Sequence, residues 1–236
     1  MNCKRGISGR FLHLCTNDSG NPKSKKIFGL LETPNVPLDI RHIKYKVYIV
    51  GKAGVGKSFL SSWLSGLNNN SSYYATSGTQ VKAVSSVCEV YSSEVKKLMF
   101  TIEFWESGSV GRRKPVDLIE ECPSDADAVL LMFSYAEKES LKFISDIMIE
   151  FEKHNSYKPC FIAVGSGWNL EQQQFVRQRD IQEFEGTWKV PVLQLPLYST
   201  ISRENYWKNK REEFILFLCE ELCLRDQILS SCGIKR

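Results

Sequence analysis

From Tyr45 onward, short apolar runs alternate with longer segments of helical periodicity. Residues 45–50 are rich in β-branched and aromatic residues and predict a strand. Phe59, Leu60, Trp63, Leu64 and Leu67 follow at helical spacing. Over residues 98–105 the pattern has period two, with Leu98, Phe100, Ile102 and Phe104 on one face and Met99, Thr101, Glu103 and Trp105 on the other. Residues 87–91 are placed to pair with that strand in antiparallel fashion, across Ser92-Ser93-Glu94. Residues 128–134 form a continuous apolar run, as a strand buried on both faces requires. A helix over 139–153 turns Leu141, Ile144, Ile147, Met148 and Phe151 inward, and 160–164 is the next buried strand. A helix from near Asp180 carries Ile181, Phe184 and Trp188, 190–195 is a last strand, and 211–228 is a long amphipathic helix. This order predicts an α/β fold: a mostly parallel six-stranded sheet flanked by helices on both faces.

The 236 residues suffice for one such domain and an extension. Contents of 42% hydrophobic and 25% charged residues are ordinary for a globular domain. The formal charge of +4 is too small to point to nucleic acid, but it is unevenly spread. Residues 1–46 hold nine Lys and Arg against three Asp and Glu, so the remainder is slightly acidic. The chain therefore divides into a basic extension over 1–43, a domain over 44–230 and a flexible tail over 231–236. Residues 1–25 are polar and predict disorder. Lys23-Ser24-Lys25-Lys26 then leads into Ile27-Phe28-Gly29-Leu30-Leu31, a basic patch beside an apolar cluster. Two readings fit it: docking on a partner or anionic lipid, or a strap on the chain's own domain. No apolar run reaches the length of a membrane span, and no secretory leader is expected at the N-terminus. The eight cysteines form no C-x-x-C pair, and Cys219 with Cys223 alone makes no zinc site, so they read as thiols of a cytosolic protein.

The chemistry is concentrated in Gly51-Lys52-Ala53-Gly54-Val55-Gly56-Lys57-Ser58, which fits the phosphate-loop pattern G-x-x-x-x-G-K-[ST] at every fixed position. It stands between a predicted strand and a predicted helix. There the loop N–H groups and the positive end of the helix can face phosphates. Lys57 is expected to reach the β- and γ-phosphates, and the Ser58 hydroxyl to bind Mg²⁺.

With these features the chain resembles the Ras-superfamily small GTPases over about residues 44–230, which implies a P-loop NTPase fold of the Ras-like G-domain kind. Residues 127–134 followed by Lys138-Glu139-Ser140-Leu141 are very like the fourth strand and third helix of Rab proteins. Thr76-Ser77-Gly78, 19 residues after Lys57 at its first member, resembles the Rab switch I segment T-x-G. Phe28-Gly29-Leu30-Leu31-Glu32 with Pro34, Phe104-Trp105 with Gly108, and Leu64-Ser65-Gly66-Leu67 resemble one narrower family. It is that of the Rem- and Rab-like small GTPases of the ciliogenesis and planar cell polarity effector (CPLANE) complex. The resemblance implies a cytosolic subunit that binds GTP and Mg²⁺ and works with longin-domain partners, Fuzzy and Inturned, at the basal body of the cilium. Carried over residue by residue, it implies nucleotide contacts at Gly51, Ala53, Gly54, Val55, Gly56, Lys57, Ser58, Thr76, Gly108, Ser166, Trp168 and Asn169. It implies Mg²⁺ contacts at Ser58, Thr76 and Glu106.

The departures from the family pattern matter as much. Glu106-Ser107-Gly108 stands where D-x-x-G is usual, with Glu for Asp and one residue fewer before the glycine. Glu106 would hold a Mg²⁺-bound water only with a shifted geometry, and Gly108 would offer its N–H to the γ-phosphate. Ser109 occupies the place of the glutamine that orients the attacking water, which implies slow hydrolysis. Ser166-Gly167-Trp168-Asn169 occupies the place of the guanine-reading N-K-x-D, and Pro196-Leu197-Tyr198 that of the later S-A-K-like segment. An amide at Asn169 has one acceptor where a carboxylate offers two, a loss of about 2–4 kcal/mol of guanine recognition. Trp168 would return part of it by stacking. The C-terminal Ser231-Cys232-Gly233-Ile234-Lys235-Arg236 is no prenylation box, so membrane contact is expected only through partners or the basic N-terminal segment. Three functions remain open: a nucleotide-dependent switch subunit, a P-loop phosphotransferase or ATPase with another base site, and a scaffold without nucleotide.

Overall fold

Strands and helices alternate along the chain much as the periodicity predicts. The order is β1 (Leu12–Leu14), β2 (Arg41–Gly51), α1 (Lys57–Leu64), β3 (Thr79–Tyr91), β4 (Val95–Ser107), α2 (Pro115–Glu120), β5 (Ala128–Ser134), α3 (Lys138–His154), β6 (Cys160–Ser166), α4 (Gln178–Trp188), β7 (Val192–Leu195) and α5 (Glu204–Ser231). This computed structural model describes residues 12–14, 40–67, 78–91, 95–108, 114–154, 159–167, 174–195 and 204–231.

One sheet runs β1-β3-β4-β2-β5-β6-β7. The strands from β4 to β7 are parallel, and β3 joins β4 antiparallel. In the centre, successive side chains of β2 enter opposite faces, as the strand period dictates. Val47 and Ile49 enter one core, with Leu60 and Leu64 of α1 and Ile215, Leu218 and Leu222 of α5. Tyr48 and Val50 enter the other, with Leu141, Ile144 and Ile147 of α3 and Ile181 and Phe184 of α4. β5 divides in the same way, Leu130 and Met132 against Leu131 and Phe133, which explains its unbroken apolar run. Each such side chain contributes about 1.5–3 kcal/mol by leaving water. On the α1 side, Trp63 meets the ring edges of Trp207 at 5.8 Å and Phe214 at 6.1 Å between centroids.

Asp127, just ahead of β5, is the polar tie of the fold. Its carboxylate accepts the Lys46 N–H at 2.8 Å and the Arg225 guanidinium at 3.1 Å. It thereby fastens the end of α5 to the edge of the sheet opposite the phosphate loop.

Several expectations need correction. The six expected strands are all present, and β1 joins them as a seventh by adding to β3 with Leu12 opposite Val90. That places residues 12–14, expected to be disordered, in a strand. β2 begins at Arg41, ahead of the expected domain start at 44, and α5 spans Glu204–Ser231, beyond the expected 211–228. β3 begins at Thr79 rather than 87. α1 ends at Leu64: Gly66 N–H donates to the Trp63 carbonyl at 3.1 Å and Leu67 N–H to that of Ser62 at 2.9 Å, a Schellman stop. Leu67 therefore lies outside the helix and 47% exposed instead of facing the core. The short α2 went unforeseen; Asp117 accepts the Lys114 N–H at 2.9 Å and Pro115 opens its first turn. Among the described residues, no helix is long and apolar enough to cross a membrane.

Candidate functional site

The sheet order reverses at β2, with β4 on one side and β5 on the other. The crevice at the carboxyl ends of these strands is where open α/β sheets bind ligands. The phosphate loop leaves β2 at that edge. A Cβ on Gly51 would lie 2.4 Å from the Met132 carbonyl oxygen, so only glycine lets the loop pass this close to β5. Gly56 is the N-cap of α1 at φ 98°, a left-handed conformation that glycine adopts without strain. Its carbonyl accepts the Leu60 N–H at 2.9 Å and starts the helix.

Lys57 is buried, and its ammonium folds back over the loop. Nζ donates to the Gly51 carbonyl at 3.0 Å and the Lys52 carbonyl at 2.9 Å. Lys52 itself pairs with Glu137 in the turn after β5. Val55 drives its side chain into the core, while Ala53 and Gly54 stay exposed at the crest of the loop. The Ser166 hydroxyl, at the end of β6, donates to the Val55 carbonyl at 2.9 Å. Ser166 was expected among the base contacts; here it holds the loop.

Ser58 and Glu106 meet as the metal expectation requires. The Ser58 hydroxyl donates to Glu106 Oε1, and Glu106 is only 1% exposed. A hydroxyl and a buried carboxylate side by side form the partial oxygen shell that Mg²⁺ takes when phosphates and water complete it. The donors present therefore fit that ion. Three further residues belong to this cluster and were missed. Ser61 Oγ lies 3.1 Å from Glu106 Oε2, and Lys82 Nζ lies 2.9 Å from Ser61 Oγ and 2.8 Å from Ser62 Oγ. Burial lowers the Lys82 pKa, against an upward pull from the Glu106 charge. A signal was available: Ser58, Ser61, Ser62 and Ser65 recur at helical spacing, a polar stripe that needs polar partners.

Gly108 stands just beyond β4, and its N–H donates to the Gly78 carbonyl at 2.8 Å. To serve a γ-phosphate, as expected, that N–H must exchange one acceptor for another. Behind the loop, Gly167 N–H donates to the Leu195 carbonyl at 3.0 Å and ties β6 to β7. Thr76, Ser109, Trp168, Asn169, the Phe28-Gly29-Leu30-Leu31 segment, Pro196-Leu197-Tyr198 and the C-terminal tail beyond Ser231 lie outside the described residues. The structure thus brings together the phosphate loop, Glu106 and Ser166, with Gly108 nearby.

Comparison with known proteins agrees with this geometry. Three relatives called "Ciliogenesis and planar polarity effector 2" are each 29% identical to the chain. That of Danio rerio aligns over 175 residues, 73% of this chain and 69% of the relative. The Xenopus laevis protein aligns over 179 residues, 72% and 69%, and the Homo sapiens protein over 175, 72% and 66%. The Ras family profile matches residues 46–206. With that match running from β2 into the first turn of α5, the chain belongs to the Ras family.

Proposed function

We propose that this chain is a divergent Rab-like small GTPase that binds GTP with Mg²⁺, hydrolyses it slowly, and serves as a switch subunit of an effector complex for ciliogenesis and planar cell polarity. The names of its relatives support the cellular setting. One observation carries the biochemical part: Lys57 spans the phosphate loop while Ser58 rests on the buried Glu106.

In this reading the loop N–H groups and the start of α1 receive the phosphates, and Lys57 turns from loop carbonyls to phosphate oxygens. Mg²⁺, when bound, neutralises phosphate charge. Ser58 and Glu106 would hold it, with Thr76 as a further oxygen. Ser109 leaves the attacking water without a positioning amide, so the triphosphate state persists. Partners are longin-domain proteins of the Fuzzy and Inturned kind at the basal body. The basic 1–43 segment and those partners supply any membrane contact.

A scaffold without nucleotide is the second reading, favoured by the Gly108 N–H being bonded to the Gly78 carbonyl. Chromatography of nucleotide released from the purified protein separates the two. GTP or GDP supports the switch, ATP or ADP points to a phosphotransferase or ATPase, and no nucleotide with no uptake of added GTP leaves the scaffold.

A further inference from the structure

Lys82 lies on β3 opposite Phe104, on the strand face that packs toward α1. Its ammonium reaches Ser61 and Ser62 at 2.9 and 2.8 Å and the Ser58 carbonyl at 3.5 Å. The ammonium occupies a lone pair of Ser61 Oγ, whose single hydrogen has two acceptors at 3.1 Å, the Ser58 carbonyl and Glu106 Oε2; turned to Oε2, it links the carboxylate to the lysine. The two oxygens of Glu106 are thereby divided. Oε1 faces Ser58 and the metal position, and Oε2 faces Ser61 and, behind it, a lysine. A carboxylate buried to 1% exposure is costly without a compensating cation.

We propose that Lys82 is a tethered counter-ion of the nucleotide site: acting through Ser61, it compensates Glu106 from the Oε2 side and keeps Ser58 against Oε1 when no divalent cation is present. The idea rests on the reading of Ser58 and Glu106 as the metal-binding pair. Lys82 is a positioning residue here, acting on Glu106 through Ser61. Its consequence is a phosphate loop that keeps its binding arrangement between rounds of metal and nucleotide binding, instead of collapsing as the carboxylate loses its partner.

The test is thermal unfolding of the full chain, stripped of nucleotide, in EDTA and in excess magnesium chloride. Lys82→Met should lower Tm in EDTA by about 5 °C or more. Lys82→Arg should keep most of the wild-type value. Lys82→Met combined with Glu106→Gln should regain most of the loss, because neither charge then remains. Magnesium chloride should raise Tm of Lys82→Met more than that of wild type. Additive effects of the two substitutions, or an equal magnesium response in wild type and Lys82→Met, would overturn the proposal. If Lys82→Met does not fold, the double variant decides: a folded one supports the proposal and an unfolded one overturns it. A chain that never binds nucleotide defeats the proposed function yet leaves this coupling readable. Absent coupling with GTP binding intact defeats only the tethered counter-ion.

Discussion

The Ser166 hydroxyl donates to the carbonyl of Val55 at 2.9 Å, so the end of β6 grips the middle of the phosphate loop. Family resemblance puts Ser166 in the base-reading segment, whereas its contact is with the phosphate half. Ser166→Ala should therefore weaken GTP and XTP alike, by about 3–10-fold, the worth of one hydrogen bond. Competition against one labelled nucleotide measures both. A selective loss of GTP would return Ser166 to base recognition.

Two glycines give opposite expectations. Gly51→Ala drives a Cβ to 2.4 Å from the Met132 carbonyl oxygen and should cost about 3 kcal/mol. Gly186, inside α4, has nothing within 4 Å of such a Cβ, and Gly186→Ala should stabilise by about 0.5–1 kcal/mol. Urea unfolding of the two variants checks the contrast, and a stability loss at Gly186 would count against the packing described for α4.

Arg225→Met leaves Asp127, 7% exposed, without its guanidinium and should cost about 3 kcal/mol. Adding Asp127→Asn should cost little more, since the charge that needed the arginine is gone. Full additivity in a double-mutant cycle would show that the pair is not coupled.

Much of this fold is legible because its signals are local. β5 announces itself by an apolar run that two faces bury, and α3 by Leu141, Ile144, Ile147, Met148 and Phe151 at helical spacing. The first half of β3 is not legible, because Gln80, Lys82, Ser85 and Ser86 look like a solvated loop until α1 is laid across the face that carries Lys82 and the Ser85 hydroxyl meets Thr101 of β4. Ser86 is nonetheless buried, and Lys82 finds partners 20 and 21 residues away. The opening of α5 is hidden for a related reason. Most of its first residues are polar, and Trp207 reveals a core face only once Trp63 stands against it. In the site, the phosphate loop is a contiguous motif and reads directly. The Lys82–Ser61–Glu106 chain joins three elements and reads only in three dimensions.

Burial pushes the Cys122 and Cys160 thiols up to about 12. An unfolded thiol ionises near about 8.5, so above that pH the unfolded chain loses protons that the folded chain keeps. The stability these thiols contribute is complete below about 8.5 and is lost as pH rises toward 12. Urea unfolding at stepped pH should show that decline, reduced in a Cys122→Ala, Cys160→Ala variant. An unchanged slope in the variant would assign the alkaline loss to other groups.

The most direct test is binding of a fluorescent GTP analogue, in magnesium chloride, to wild type and to Lys57→Ala. The Lys57 ammonium bridges the Gly51 and Lys52 carbonyls and is the positive charge available to phosphate at the loop's centre. Saturable binding by wild type is expected, with affinity reduced about 10–100-fold in Lys57→Ala, the worth of one charge-assisted hydrogen bond. Equal affinity of the two proteins, or no binding by wild type, would contradict a nucleotide site in this loop.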